Sequence, residues 1–397
     1  MPKTVFLVAD GMAGWPLDIL GGRTSMQAAS TPTLDLLAPK SRVGRCRTVP
    51  QGMPPGSDVA NMSLLGYDPK SHHTGRGPIE AAAQGLTLGQ DDLVWRMNLV
   101  NLTELSDHGV MLDYSSGHID TATAAPLIAR LAEMAGGGPF KPVQGIQYRH
   151  LLVQRGGAQT AAASLAIRPP HDILDQNIAA DLQVFASFPE LHAFLREAHE
   201  FLRRDTTSQA TSVWPWGQGR PLTLPAFAER FGLRGAVVSA VDLVKGLGRA
   251  AGMDVLDVEG ATGLIDTNYV GKVHAALEFL KKNGDFVYLH VEAPDECGHM
   301  GDAQLKKRAI ELFDERIVAP ILAALADEDV TIVVTCDHFT PVARRTHTED
   351  PVPFLVYRTR APRTDGPAAF DEDTAQASDL FLHEGPDLLS FCLRQDA

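Results

Sequence analysis

Cysteine is scarce in this chain. Cys46, Cys297, Cys336 and Cys392 are the only four in 397 residues, and no two stand at C-x-x-C spacing. A disulfide framework is therefore not expected. Basic residues are outnumbered, 35 Lys and Arg against 49 Asp and Glu, and the resulting net charge of -14 argues against nucleic acid or an anionic membrane as the main partner. No apolar run approaches membrane-spanning length, and there is no internal repeat, low-complexity tract or long linker. The N-terminus enters a strand within a few residues and carries no basic segment backed by an apolar one, which predicts a cytoplasmic protein. A GxxxxGK[ST] loop is also missing, and the GRG and GLG fragments are too short for a dinucleotide fingerprint. What is present, 44% hydrophobic residues, is enough for a globular protein with the bulk of two or three domains.

Three apolar runs end in acid. Thr4-Val-Phe-Leu-Val-Ala leads to Asp10-Gly11, Phe286-Val-Tyr-Leu-His-Val to Ala-Pro-Asp295-Glu-Cys-Gly-His299, and Val330-Thr-Ile-Val-Val-Thr to Cys-Asp337-His338. Each reads as a buried strand, and chemistry in open α/β sheets sits at such strand ends. Any one strand-end Asp is equally an N-cap of the helix that follows. Three together, two with a nearby His, would repel one another unless a cation sits among them. Mixed Asp and His donors suit Mn²⁺ or Zn²⁺ better than Ca²⁺.

Residues 52–80 present a second pattern. Pro54-Pro55-Gly56 fixes a turn, and Ser57 opens a helical stretch with Val59, Met62 and Leu65 on one face. A Ser there is either a plain N-cap or a hydroxyl held at a helix terminus that favours an incoming anion. Gly75-Arg76-Gly77 places a guanidinium where the backbone allows close approach to a phosphate or carboxylate, or else forms a surface turn. Residues 93–203 depart from the α/β pattern. Short strands at Val94–Val100 and His150–Gln154, with helices at Thr121–Met134 and around Leu191–Leu202, predict an inserted α+β domain. The core is then discontinuous, 1–92 and 204–397, and α/β patterning resumes at Trp214-Pro-Trp. Leu305–Leu325 reads as one long helix kinked at Pro320.

Asp10-Gly, Pro-Pro-Gly-Ser-Asp, Thr-Gly-Arg-Gly-Pro, Ala-Pro-Asp-Glu-Cys-Gly-His, Asp-His and Thr346-His347-Thr-Glu-Asp-Pro-Val-Pro-Phe together resemble the archaeal-type cofactor-independent phosphoglycerate mutases of the alkaline phosphatase superfamily. The resemblance implies an alkaline-phosphatase-like sheet flanked by helices, with 93–203 as a lid. It further implies two divalent ions, Mn²⁺ foremost with Zn²⁺ or Mg²⁺ as alternatives. One would be held by Asp10, Ser57, Asp337 and His338, the other by Asp295, His299 and His347. Ser57 would be the nucleophile, forming a phosphoserine as 3- and 2-phosphoglycerate interconvert, a glycolytic isomerisation of a small phosphorylated metabolite. Arg76, Arg149, His150 and Lys245 would bind the anionic substrate, with Arg220 a further cation. One segment departs from the family: where the archaeal pattern reads Asp-Arg-Arg-Ala-Gly-Arg, residues 113–118 are Asp113-Tyr-Ser-Ser-Gly-His118. Asp113 and His118 then become candidates for a less anionic acceptor. That keeps open another phosphotransferase or phosphatase activity, a homoserine kinase included, beside a metal-bound relative without catalysis.

Overall fold

The computed structural model describes residues 2–394. Its thirteen strands are β1 (Lys3–Ala9), β2 (Ser41–Cys46), β3 (Leu93–Leu102), β4 (Met111–Asp113), β5 (Phe140–Ile146), β6 (Arg149–Gln154), β7 (Ser212–Gly219), β8 (Gly235–Val238), β9 (Asp254–Val255), β10 (Phe286–Val291), β11 (Val330–Thr335), β12 (Val352–Arg358) and β13 (Phe381–Leu382). They form an eight-stranded and a five-stranded sheet in two compact units, residues 1–73 with 223–397 and residues 74–222.

In the first unit the strand order is β13-β2-β12-β11-β1-β10-β8-β9. Strand β1 lies between β11 and β10 and is parallel to both, so the three acid-ended runs are neighbours and finish on the same edge. All residues of β10 and β11 are buried, as are six of the seven in β1, which is why these strands read as continuous Val-, Leu- and Phe-rich runs. Strands β12 and β2 extend the sheet antiparallel on the β11 side.

The second unit is an antiparallel sheet with β3 paired to β4, β6 and β7. Helices Thr121–Met134 and Pro189–Leu202 pack on β5 and β7 over a core that includes Trp95, Phe185, Leu195 and Trp214. Its limits lie outside the expected 93–203. Strand β7 pairs with β3, so Trp214-Pro-Trp belongs to this sheet and not to a resumed α/β core. Pro215 lies within β7, which has β3 as its one partner, and an edge strand tolerates a residue without an N–H. At the other end, helix Arg76–Ala83 packs on β3 and β7, moving that boundary back to 73/74.

The single helix expected over 305–325 is also divided. It runs as Ala303–Phe313, a π-helical turn over Asp314–Val318, and Ala319–Ala324. Pro320 cannot donate to residue 316 and its ring crowds that carbonyl, and the wider π turn just before it absorbs the misfit. Elsewhere the match is close: helix Thr121–Met134 has the expected bounds, and Pro32 opens Pro32–Leu37 at its first position.

Candidate metal centre

Each acidic strand end is aimed by local chain geometry. Asp10 follows β1 and precedes Gly11, whose φ of 57° places it in the left-handed region. A Cβ at Gly11 would collide with Thr340 Oγ1 and Asp295 Oδ1, so only glycine lets these carboxylates converge. Asp295 lies in the first turn of helix Ala293–Met300, with His299 one turn on, which sets the two side chains on one face. Asp337 and His338 leave β11 directly, and His347 returns beside them through the Phe339–Thr348 bridge.

Two overlapping sets of ligand atoms result. Asp10, Asp337 and His338 offer atoms all within 4.8 Å of one another, and Asp295, His338 and His347 do the same. His299 Nε2 stands 3.1 Å from Asp295 Oδ2 and 2.9 Å from His347 Nε2. Ser57 begins helix Ser57–Leu64, and its Oγ lies 3.1 Å from His338 Nε2. Gly56, not Ser57, occupies the N-cap position, so the hydroxyl is not spent on capping.

The carboxylates are tethered from behind. Asp337 accepts from Gly11 N at 3.1 Å, His338 N at 3.0 Å and Asn61 Nδ2 at 2.8 Å, while Tyr288 donates to Asn61 Oδ1. Thr340 Oγ1 donates to Asp295, and Lys306 Nζ gathers the carbonyls of Gly11, Ala13 and Thr340. Asn61, Thr340, Lys306 and Tyr288 are absent from the expected site set, although a Lys and an Asn on otherwise apolar helix faces were a readable signal.

Electrostatics mark the same place. Burial, then the charges of Asp337 and Asp295, push the Asp10 pKa well above the ordinary carboxylate value. Burial also opposes ionisation of Asp295, but hydrogen bonds from His299 and His347 outweigh it and hold that carboxylate well below the usual range. His299 is raised to about 9 by its bond to Asp295, whereas burial drives His338 down to about 4. Asp10 Oδ1 is buried with no hydrogen-bond partner. A buried acceptor with no hydrogen-bond donor, beside other acids and the neutral His338 ring, fits a divalent cation.

A family model described as the metalloenzyme superfamily matches residues 2–380. The chain is 45% identical over 403 residues to a 2,3-bisphosphoglycerate-independent phosphoglycerate mutase of Methanosarcina mazei, covering 99% of this chain and all of that one. This chain belongs to that mutase family. A probable mutase of the same type from Geobacter sulfurreducens is also 45% identical, over 98% of this chain and 99% of its own. Among solved structures, the cofactor-independent phosphoglycerate mutase of Thermoplasma acidophilum is 27% identical with a TM-score of 0.65, covering 99% of this chain and all of that one. A protein of Pyrococcus horikoshii is 28% identical with a TM-score of 0.81, over 99% and 96% of the two chains. Membership of this metalloenzyme family supports divalent-metal binding, and the two clustered ligand sets are the candidate site for it.

The remaining candidates are distributed between the units. Lys245, on helix Asp242–Ala250 of the first unit, pairs with Asp257 at 2.7 Å. In the second unit Arg76 and Arg149 lie close enough to Arg96 to repel it. Arg96, which the motifs did not single out, pairs with Glu80 at 3.0 Å and lies over the Trp216 ring at 4.3 Å; a lone charge inside the apolar run Val94–Val100 was its signal. His150 Nδ1 accepts from Gly145 N, its Nε2 is buried without a partner, and burial lowers its pKa to about 4. Arg220 donates to the Ala158 carbonyl. Asp113 has a local task, accepting from Ser115 N, Ser115 Oγ and Gly117 N. That brace holds three successive left-handed residues, Ser116, Gly117 and His118, and sets the His118 ring beside Tyr114 and Tyr148.

No helix among the described residues is long and apolar enough to cross a membrane.

Proposed function

We propose that the protein interconverts 3-phosphoglycerate and 2-phosphoglycerate through a phosphoserine on Ser57, using two divalent ions with Mn²⁺ the preferred one. The observation that carries this reading is the Ser57 hydroxyl, uncommitted to capping and 3.1 Å from His338 Nε2 beside the buried acids. Asp10, Asp337, His338 and Ser57 would hold one ion, and Asp295, His299 and His347 the other. Such ions, when bound, lower the pKa of the serine hydroxyl and neutralise phosphoryl oxygens.

The protein's own contribution is nucleophile and orientation. Ser57 Oγ attacks the phosphorus of the substrate ester, the Oγ–P bond forms, and the bond from phosphorus to the glycerate oxygen breaks. The freed glycerate then attacks the phosphoserine through its neighbouring hydroxyl, which restores Ser57 and yields the isomer. The serine sits at the N-terminal end of its helix, where free N–H groups and the helix dipole favour the transferred anion. Arg76, Arg96 and Arg149 form the cationic group of the second unit suited to the substrate's carboxylate, and Lys245 is a further cation on the first. The inserted unit, residues 74–222, is proposed to act as a lid, because a phosphoserine open to water would be hydrolysed.

A second reading rests on residues 113–118. Tyr114, His118, Tyr148 and His171 bring aromatic rings together there, where the family pattern carries arginines. Phosphoryl transfer to a less anionic acceptor such as homoserine would suit that surface. One experiment separates the two: enolase-coupled turnover of 3-phosphoglycerate with Mn²⁺, beside a screen of phosphate acceptors. Turnover that is lost on chelation supports the mutase. A total absence of phosphoglycerate exchange, with another acceptor phosphorylated, would replace it.

A further inference from the structure

Asp10 differs from the other acids of the centre in what holds it. Asp337 and Asp295 each receive short hydrogen bonds from neighbours on several elements, whereas Asp10 Oδ1 has no hydrogen-bond partner. Its other oxygen, Oδ2, faces His290 Nε2 at 3.3 Å. His290 is fully buried on β10, on the same side of the strand as Tyr288 and two residues before Glu292, which occupies the N-cap position of the helix that follows. Its second nitrogen, Nδ1, stands 3.3 Å from Glu292 Oε1. Neither ring nitrogen completes a hydrogen bond, but each lies 3.3 Å from a carboxylate oxygen, within reach of an N–H on the nitrogen that carries one.

Glu292 is itself fixed. Its Oε2 pairs with Lys272 Nζ at 2.7 Å, and Lys272, also fully buried, donates to the His290 carbonyl at 2.9 Å. Its Oε1 accepts from Ser239 Oγ at 2.7 Å and from Ala240 N at 2.8 Å, in the segment that opens helix Asp242–Ala250. Lys272, Glu292, His290 and Asp10 thus form a buried file of polar side chains that starts in the packed interior and ends on a proposed metal ligand. Burying a Lys and a Glu costs several kcal/mol before pairing, and a core built for stability alone is served as well by apolar residues of that volume.

We propose that His290 is a positioning residue for the metal centre: backed by Glu292 and Lys272, it holds Asp10 Oδ2 so that Oδ1 is presented to the ion. The proposal rests on the divalent-metal site and not on the substrate, so it is tested by binding without turnover. Groups that orient a metal ligand typically change affinity by about 10- to 100-fold when removed. Mn²⁺ titration by calorimetry, with the Mn²⁺ electron paramagnetic resonance spectrum as signature, should show His290→Leu weakening binding by about that factor and altering the spectrum. His290→Gln, which keeps a donor toward Asp10, should recover most of the affinity. In an Asp10→Asn background the His290→Leu effect should shrink to about twofold, because the interaction it removes is already gone.

Folding of each variant is checked by thermal unfolding of the chelated protein. If the leucine variant does not fold, the comparison passes to His290→Gln against His290→Asn, whose shorter side chain cannot span the gap and should bind about tenfold more weakly. Wild-type affinity and spectrum in folded His290→Leu, or in His290→Asn where that comparison decides, would overturn the proposal. A wild-type protein that binds no Mn²⁺ at all would instead overturn the choice of ion.

Discussion

Replacing Gly11 by alanine should damage the protein in two separable ways. The first is backbone: a residue with a Cβ at a φ of 57° costs about 1–2 kcal/mol. The second is contact, because the new Cβ would strike Thr340 Oγ1 and Asp295 Oδ1 and lie 2.9 Å from Asp295 Cβ. Forcing buried groups apart adds about 1–3 kcal/mol, for a total of about 2–5 kcal/mol. Gly21 supplies the control, since its φ of 68° carries the same backbone penalty while nothing lies within 4 Å of its Cβ. Gly21→Ala should therefore lose about 1–2 kcal/mol and keep its metal affinity. Gly11→Ala should lose more and bind Mn²⁺ at least tenfold more weakly, since Asp295 must move. Denaturant unfolding of the chelated proteins and Mn²⁺ calorimetry measure the two effects. Equal stability losses and equal Mn²⁺ affinities in the two variants would refute the crowding argument.

Ser57→Ala should abolish any phosphoenzyme trapped by rapid quench, which mass spectrometry of the wild-type protein should place on Ser57; phosphate found on Asp58 or a histidine would identify a different nucleophile. Asp295→Ala and His347→Ala should each retain fewer than two ions per chain by elemental analysis, and two ions kept in both would contradict the ligand assignment. His299 has a pKa of about 9 in the metal-free protein, so below that pH a proton must leave before the ring can bind an ion. Mn²⁺ affinity should accordingly rise with pH, by up to about tenfold per unit for one proton, and level off above about pH 9; an affinity flat from pH 6 to 9 would count against His299 as a ligand. The triple change Tyr114→Arg, Ser115→Arg, His118→Arg should raise kcat/KM for 3-phosphoglycerate, and no change would show that 113–118 does not set acceptor charge.

Much of the centre was readable because its ligands follow long apolar strands. Asp10, Asp295 and Asp337 each follow a run whose composition already signalled burial on both faces, and Asp295 and Asp337 have a histidine within four residues. What the sequence could not show is that β11, β1 and β10 are adjacent, since β1 and β10 are separated by more than 270 residues, including the inserted unit. The supporting residues were hidden for a different reason. His290 sits inside a strand that scores as apolar, and only Tyr288 and His290 on one side, with Glu292 two residues on, hint at a polar file. The inserted unit runs past its expected margins because Trp214-Pro-Trp, read as the return of the α/β pattern, is an edge strand of the inserted sheet. The divided helix near Pro320 was half legible: a kink was expected, but whether the chain bends or widens depends on packing, and buried Asp314 accepts from Thr33 N and Leu34 N at the turn.

The tethers explain how so many acids can be kept close before any ion arrives. Three buried carboxylates close enough to act on one another would move apart or take up protons, and burial followed by the charges of Asp337 and Asp295 raises the Asp10 pKa in that sense. Asp337 is restrained by backbone N–H groups and Asn61, Asp295 by Thr340 and its histidines, and the loop that carries Asp10 by Lys306, whose ammonium sits among three carbonyls. Burial lowers the Lys306 pKa to about 8, so the charge is held at a cost. That cost is intelligible if the loop after Asp10 must not relax, because a centre preorganised for a cation loses little free energy in ordering its ligands when the cation binds. The same restraint makes the metal-free protein the strained form. Ion binding then relieves repulsion that folding has built in, and stability should respond to the metal more strongly here than at the second unit, whose charges are already paired or stacked.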